Sequence, residues 1–179
     1  MRRVETLYFE KGGAVHTGET VRAARERAGE LEAEAVVVAS TTGKTALEAA
    51  RAFAGTGTRI IAVPFQKHLW EKHRPPDAEI VRECLEMGVE FLPAAPVVRI
   101  LDSERPDIAD AWRTLSQGFK VAMQVASMCV DTGLLQAGSH VISIGGTGWG
   151  ADTAIAVETY GYADVLRSNV TEIIAMPSR

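Results

Sequence analysis

The sequence predicts an α/β domain with a mainly parallel β-sheet. Short apolar runs rich in β-branched residues, such as Val36-Val37-Val38 and Ile60-Ile61, recur along the chain. Segments with helix formers at helical spacing separate these runs, which is typical of a parallel sheet covered on both faces. The last strands follow one another closely, which indicates an antiparallel addition at an edge of the sheet.

Strands and helices alternate through the first half of the chain. We predict strands at 6–10, 36–39, 59–63 and 89–92, and helices at 19–31, 45–54 and 77–87. Thr17 is a suitable N-cap for the first helix, and Gly88 is a suitable C-cap for the third. Pro64 ends the strand before it and begins a polar loop at 65–74.

A long helix from Asp107 to about Leu135 is predicted for the second half. Its apolar residues recur at steps of three and four: Ile108, Trp112, Leu115, Phe119, Ala122, Ala126 and Cys129. Between 121 and 130 it is apolar almost all round, which indicates burial in the core or against another subunit. Lys120 and Gln124 are polar exceptions on one face, and the lysine either extends to solvent or contacts a ligand. Strands follow at 140–144, 153–157 and 170–176, and no regular structure is assigned to 93–106.

Composition and charge exclude several classes of protein. The 179 residues fit one domain, 1–179, and 46% hydrophobic with 23% charged residues is an ordinary globular composition. A net charge of −4 argues against a nucleic-acid partner. The chain has no apolar run of about 18 residues and no signal-peptide pattern, so we expect no membrane span and a cytoplasmic location. Cys84 and Cys129 are interpreted as buried thiols, and the histidines lack ligand spacing, so no metal site is predicted.

A hydroxyl-rich turn follows the strand at 36–39 and opens the next helix. It consists of Ser40, Thr41, Thr42, Gly43, Lys44 and Thr45. Backbone N–H groups at a helix N-terminus, hydroxyl groups and an ammonium group all suit a phosphate. Ligands also bind open α/β folds most often at the carboxyl ends of the strands. The turn is therefore a candidate phosphate site, in which a side chain at Gly43 would occupy the position of the phosphate.

A second, glycine-rich turn follows the strand at 140–144. It contains Gly145, Gly146, Thr147, Gly148, Trp149, Gly150 and Asp152. In a parallel sheet the two turns emerge at the same edge, where glycines let the backbone approach a ligand closely. Each turn alone is equally well explained as a tight connection between strand and helix. The two together predict one pocket for a phosphate.

Neither turn matches a well-known nucleotide-binding motif. A P-loop needs glycine at the position of Val38, so the G-K-T at 43–45 does not complete one. Gly146, Gly148 and Ala151 match a looser dinucleotide fingerprint. That fingerprint lies too close to the C-terminus for the further βαβ units of a Rossmann enzyme.

Several segments resemble the C-terminal domain of pyruvate kinases. They are V-V-V-A-S-T-T-G-K-T-A at 36–46, R-I-I-A-V at 59–63 and G-L-L-Q-A-G-S-H-V-I-S-I-G-G-T-G-W-G at 133–150. Y-F-E-K at 8–11, G-A-D-T-A at 150–154 and I-I-A-M-P at 173–177 are similar to the stand-alone pyruvate kinase α/β domain proteins. The resemblance implies a three-layer α/β/α fold with a mixed sheet of about five strands, one of them antiparallel at an edge.

The resemblance also implies a binding site. In pyruvate kinases the first turn holds a phosphate of a sugar bisphosphate, and a glycine-tryptophan loop closes over it. By position, this assigns 40–45 to the phosphate and 146–149 to the closing loop. The kinase loop has a basic residue after its tryptophan, whereas here Asp152 would repel a second phosphate. A monophosphate with a neutral ring fits better, and flavin mononucleotide (FMN), a ligand associated with the stand-alone family, meets that description.

These features favour a domain that binds a phosphorylated small molecule, with FMN preferred. Pyruvate kinase activity is not expected, because the catalytic (β/α)₈ barrel of that enzyme needs about 250 residues. One alternative is a flavin-dependent or phosphoester-processing enzyme, with Lys44, Lys120 or Asp152 as acid or base. Another is an interaction module or homo-oligomer that uses the apolar face at 121–130.

Overall fold

The computed structural model describes residues 3–71, 73–93 and 100–178, which form one seven-stranded sheet with helices on both faces. The strands are β1 (Leu7–Phe9), β2 (Ala35–Ala39), β3 (Arg59–Val63), β4 (Glu90–Phe91), β5 (Ser139–Gly145), β6 (Thr153–Thr159) and β7 (Asn169–Pro177). The α-helices are α1 (Thr17–Glu30), α2 (Lys44–Ala52), α3 (Ala78–Glu86), α4 (Leu101–Glu104), α5 (Pro106–Arg113) and α6 (Gln117–Asp131). Short 3-10 helices lie at Ala14–His16, Lys67–Leu69 and Tyr162–Arg167.

The strands lie in the order β1-β7-β6-β5-β2-β3-β4, and β6 is antiparallel to both of its neighbours. All other neighbouring pairs are parallel, so the prediction of a mixed, mainly parallel sheet is confirmed. The expectation of about five strands with the antiparallel one at an edge is wrong. β6 lies inside the sheet because β7 and the N-terminal β1 extend the sheet beyond it.

Side chains of the central strands point alternately into two apolar cores on opposite faces of the sheet. Val36 and Val38 pack with residues of α1 and α2 in one core, whereas Val37 packs with α6 in the other. All three valines are fully buried. The run of β-branched residues in β2 therefore reflects burial on both faces, and the three-layer α/β/α arrangement follows.

The single helix predicted at 107–135 is two helices in the structure. α5 ends at Arg113, and Ser116 is the N-cap of α6, where its Oγ accepts a hydrogen bond from the Phe119 N–H at 2.9 Å. The apolar steps of three and four continue across the break, so their spacing does not reveal it.

α6 is buried within the chain. It packs on β2, β5 and β6, and α5 lies against it as well. The residues at 121–130, which could have formed an interface with a partner, are thus largely covered by the domain itself. In the described ranges, none of the helices is both long enough and apolar enough to cross a membrane.

The start of α1 differs from the prediction. Thr17 is the first residue of the helix, and His16 rather than Thr17 occupies the N-cap position. The Thr17 hydroxyl donates a hydrogen bond to the Ala14 carbonyl at 2.7 Å and accepts one from the Ala151 N–H at 3.0 Å. The threonine therefore connects α1 to the second glycine-rich turn instead of capping the helix.

Candidate functional site

A cavity of about 790 Å³ lies at the edge of the sheet where β2, β3 and β5 end. The hydroxyl-rich turn contributes Ser40, Thr41, Thr42 and Thr45 to its lining, and the glycine-rich turn contributes Gly146, Gly148, Trp149 and Gly150. Two turns that are far apart in the chain therefore meet in one cavity. The reason is the parallel pairing of β2 and β5, which brings their carboxyl ends to the same edge.

The N-terminus of α2 faces this cavity. Two of its first N–H groups are already bonded, because Ser40 Oγ accepts from the Ala46 N–H at 3.2 Å and Thr42 Oγ1 accepts from the Lys44 N–H at 3.4 Å. The N–H of Thr45 forms no hydrogen bond with any described residue, and the Thr45 side chain lines the cavity. A donor at the positive end of a helix is thus available to an anion.

Gly43 and Lys44 do not line the cavity, although the sequence assigned both to the phosphate. Gly43 has a φ of 92°, and a Cβ there would lie 2.9 Å from Cγ2 of Ile80 in α3. A side chain at this position would therefore collide with α3 rather than enter the phosphate site. Lys44 is exposed to solvent on the first turn of α2.

Two further predicted residues, Gly145 and Thr147, also lie outside the lining. A Cβ on Gly145 would clash with the backbone of α6 at Gly118 and Ala122, so this glycine allows α6 to pack closely on β5. Thr147 presents its N–H to a carboxylate oxygen of Asp152 at 2.9 Å. Both residues shape the turn, whereas Gly148 and Trp149 reach the cavity.

One wall of the cavity is the surface of α6. Its apolar part consists of Val121, Val125 and Met128, and its polar part of Gln117, Lys120 and Gln124. Lys120 is only 5% exposed, so the interpretation of a lysine that extends to solvent is wrong. Both polar exceptions in the apolar stretch of α6 therefore face the candidate ligand space.

Lys120 belongs to a small charged cluster. Its Nζ lies 2.7 Å from Oδ2 of Asp102, and the other carboxylate oxygen of Asp102 is paired with the Arg113 guanidinium. Burial, together with the smaller effect of the nearby Arg113 charge, lowers the pKa of Lys120 to about 8. Asp102 acts in the opposite direction, because its negative charge favours the ammonium form.

Aromatic side chains lie at the rim of the cavity. Phe65 and His73 are stacked with their ring centroids 4.4 Å apart, and the Arg74 guanidinium lies 5.1 Å from the centroid of the Trp149 ring. Trp149 is 48% exposed, which is high for so large an apolar side chain. This rim offers flat surfaces against which a ring could stack.

Two parts of the site were not predicted from the sequence: the residues Ile100, Asp102 and Ser103, and the loop after β3. The loop was predicted as a polar loop without a role, yet Pro64, Phe65, Gln66, His68, Leu69 and His73 all line the cavity. A signal was present, because this loop also follows a parallel strand and must emerge at the same edge of the sheet. Its aromatic residues were a second sign.

A known protein family matches most of this chain. The family described as "Pyruvate kinase, alpha/beta domain" matches residues 18–157. The chain belongs to the pyruvate kinase α/β domain family. A crystal structure of a pyruvate kinase from Cryptosporidium parvum is similar at 18% sequence identity with a TM-score of 0.41. That match covers 77% of this chain and 22% of the kinase chain, so the chain spans about a fifth of the length of the kinase.

Asp152 has a structural role in this pyruvate kinase α/β domain. It is completely buried and does not line the cavity. Its Oδ2 accepts hydrogen bonds from the N–H groups of Gly13 and Thr147, each at 2.9 Å, and its Oδ1 accepts from the Thr153 hydroxyl at 2.8 Å. Asp152 is therefore placed to hold the glycine-rich turn and is not positioned to repel a ligand.

Of the three acid or base candidates, only Lys120 lines the cavity of the pyruvate kinase α/β domain. Lys44 is exposed outside it, and the Asp152 carboxylate is occupied by three donors. In the described part of the chain, no group of three or more His, Cys, Asp or Glu side chains is arranged to hold a metal ion.

Proposed function

We propose that this domain binds a phosphorylated small molecule that carries a flat ring, and that FMN is the favoured ligand. One observation carries the proposal: the N-terminus of α2 and the glycine-rich turn with Trp149 line the same cavity. The first feature suits a phosphate and the second suits a ring.

The phosphate would bind at the hydroxyl-rich turn. The Thr45 N–H has no partner among the described residues, and Ser40, Thr41 and Thr42 of the same turn also line the cavity. Ser40, Thr41 and Thr42 each accept a backbone hydrogen bond, so each retains its hydroxyl proton for a phosphate oxygen. Charge-assisted hydrogen bonds of this kind contribute about 1.5–3 kcal/mol each.

The ring would lie between the apolar wall of α6 and the rim. Val121, Val125 and Trp149 provide apolar and aromatic surface, and the cavity volume of about 790 Å³ lies within the usual range for small-molecule sites. The two cations at that wall, Lys120 and Arg113, are matched by the carboxylates of Asp102 and Asp110, so this cluster offers no net positive charge to a second phosphate. A monophosphate is therefore favoured over a bisphosphate.

FMN fits these residues, since it combines one phosphate with a flat ring system. When bound, FMN supplies hydride and electron transfer chemistry. The chain itself would supply the phosphate donors near Thr45 and the surface around Trp149, and the apolar wall would keep water from one face of the ring.

The proposal is tested on the purified protein. Mass spectrometry of small molecules released by heat identifies any ligand that stays bound during purification. Calorimetry compares the affinity for FMN with the affinity for riboflavin, which lacks the phosphate. We expect a Kd for FMN near the micromolar range, about −8 kcal/mol, and binding of riboflavin that is at least about tenfold weaker. Equal affinity for FMN and riboflavin would contradict the phosphate site, and binding of neither would contradict the flavin assignment.

A second candidate function is an enzyme that uses a bound flavin or processes a phosphate ester. The buried Lys120 in the cavity favours it, because a lysine with a pKa of about 8 can exchange a proton near neutral pH. Reduction of bound FMN by nicotinamide cofactors, followed by absorbance, and release of phosphate from model esters test this candidate. In a separate assay with phosphoenolpyruvate and ADP, we expect no pyruvate kinase activity.

A further inference from the structure

The amide of Gln124 lacks a good hydrogen-bond partner although it lies in the cavity wall. Its Oε1 is buried and forms no hydrogen bond in the described part of the structure. Its Nε2 contacts only a sulfur, Sδ of Met128, at 4.0 Å. A buried amide oxygen without a partner costs free energy, so its presence in a cavity points to a donor supplied from outside the chain.

Lys120 lies one helical turn before Gln124 and lines the same cavity. Its ammonium group has three N–H donors, of which Asp102 takes one at 2.7 Å. Residues four apart in a helix are neighbours on one face. The wall of α6 therefore carries a hydrogen-bond donor one helical turn from an acceptor without a partner. Because Oε1 of Gln124 is buried in the empty domain, the flexible glutamine side chain has to rotate for this oxygen to meet a ligand in the cavity.

We propose that Gln124 and Lys120 recognise the edge of the ligand's ring, and that this edge carries an N–H group next to a carbonyl oxygen. The ring N–H donates to Gln124 Oε1, and the carbonyl accepts from Lys120 Nζ. This inference rests on the proposed function, because it concerns the ring end of the same ligand. It makes Gln124 a specificity-determining residue for imide-bearing rings, a class that includes the isoalloxazine of FMN.

A ring edge that carries a donor beside an acceptor would explain why two polar residues, Lys120 and Gln124, lie in an otherwise apolar wall. An apolar side chain at 124 would complete the wall formed by Val121, Val125 and Met128 without leaving an unpaired oxygen. A ring without polar atoms at its edge would leave both Gln124 and the remaining lysine donors unsatisfied, and would be rejected for that reason. Lys120 and Gln124 thus lower the stability of the empty domain, and a ring with matching polar atoms restores the missing hydrogen bonds.

The test is a thermodynamic cycle between Gln124→Met and two probes, FMN and FMN methylated at the ring N3 position. Methionine is close to glutamine in size and removes the unpaired oxygen, and methylation removes the ring N–H donor. For the unmodified protein we expect the methylated probe to bind about tenfold more weakly than FMN. For Gln124→Met we expect the two probes to bind within about twofold of each other, and FMN to bind about tenfold more weakly than to the unmodified protein.

The ligand-free protein gives a second measurement. Gln124→Met is expected to raise the melting temperature, because a buried unpaired oxygen is lost. Gln136→Met is the matched control: Gln136 is exposed and is not part of the cavity lining, so neither melting temperature nor FMN affinity should change.

The outcomes separate this inference from the proposed function. If FMN binds more tightly than riboflavin but Gln124→Met leaves the preference between the two FMN probes unchanged, the ring-edge inference is wrong and the phosphate site stands. If inorganic phosphate raises the melting temperature but neither FMN probe binds, the inference is also overturned, again without loss of the phosphate site. Absence of binding by FMN and phosphate alike removes both proposals.

Discussion

The carboxylate of Asp152 accepts a hydrogen bond from the backbone N–H of Gly13 at 2.9 Å, although 139 residues separate them. The same Oδ2 atom accepts from the Thr147 N–H. One buried side chain thus joins the turn after β1 to the turn after β5. The segment before α1 is thereby fixed next to the loop that carries Trp149, and the shape of the cavity mouth depends on this bond.

Asp152→Ala is expected to destabilise the domain by about 2–4 kcal/mol, because three donors lose their acceptor in a buried place. Asp152→Asn is the matched variant and should cost less. Its amide can keep the oxygen toward Gly13 and Thr147 and turn the NH₂ group toward the Thr153 hydroxyl, which can accept. Urea unfolding at constant pH measures both values. Equal stability of the alanine variant and the unmodified protein would show that the bonds contribute nothing.

Thr45→Val is expected to weaken FMN binding by about tenfold while changing stability by less than about 1 kcal/mol. Valine has the same shape and keeps the backbone N–H, but it lacks the hydroxyl group as a further donor in the cavity lining. Lys44→Met, at the exposed neighbouring position outside the cavity lining, is the control and should leave the affinity unchanged. Calorimetric titration with FMN measures both. A larger loss for Lys44→Met than for Thr45→Val would place the phosphate contact on the lysine instead.

Gly43→Ala is expected to destabilise the fold by about 2–3 kcal/mol, because it combines a positive φ with a collision against Ile80. Gly88→Ala separates the two causes. Gly88 has a φ of 83° but no atom near the position of a Cβ, so only the conformational cost of about 1 kcal/mol applies. Thermal or urea unfolding of both variants gives the comparison. Equal losses at the two positions would mean that α3 moves aside without cost.

Lys120 makes stability depend on pH in a direction that can be worked out. Its pKa is about 8 in the folded protein, against an ordinary value of 10.5. Between these values the unfolded chain holds the proton and the folded protein does not, so this group increases stability as pH rises through that interval. The cost of the buried ammonium group is fully present below pH 8.

The Lys120→Met variant should lack this increase. Unfolding midpoints at about pH 7 and about pH 9.5 are compared for the two proteins, and the unmodified protein should gain on the variant at the higher pH. Cys129, whose pKa is raised by burial to about 12, acts in the opposite direction in both proteins and cancels in the difference. A constant difference across this interval would mean that the lysine keeps its ordinary pKa.

Local patterns in the sequence were sufficient for most of the fold. β3 has the predicted bounds, and Gly88 follows the end of α3 with a positive φ as a C-cap glycine does. The break between α5 and α6 was missed because the apolar spacing persists through it, although Ser116 is a good capping residue. The sheet order was missed because the pairing of β1 with β7 joins the two ends of the chain, which no local pattern encodes.

The site was predictable to the extent that it depends on the carboxyl ends of parallel strands. That rule brought both turns to one edge, and Ser40, Thr45 and Trp149 line the cavity there. It could not say which residues of each turn point outward. Gly43 faces α3, and the Asp152 carboxylate accepts hydrogen bonds from backbone N–H groups. Both arrangements depend on neighbours that are distant in the chain.

The position of β6 has a consequence for shortened forms of the protein. The family match ends at residue 157, within β6, and leaves out both β1 and β7. A fragment cut to the matched residues would bare the backbone of β6 beside the apolar side chains of Ile155 and Val157. An exposed edge strand of this kind can pair with a strand of another chain, which favours aggregation into fibril-like assemblies. By covering β6, the terminal strands β1 and β7 therefore protect the domain from self-association as well as extending the sheet.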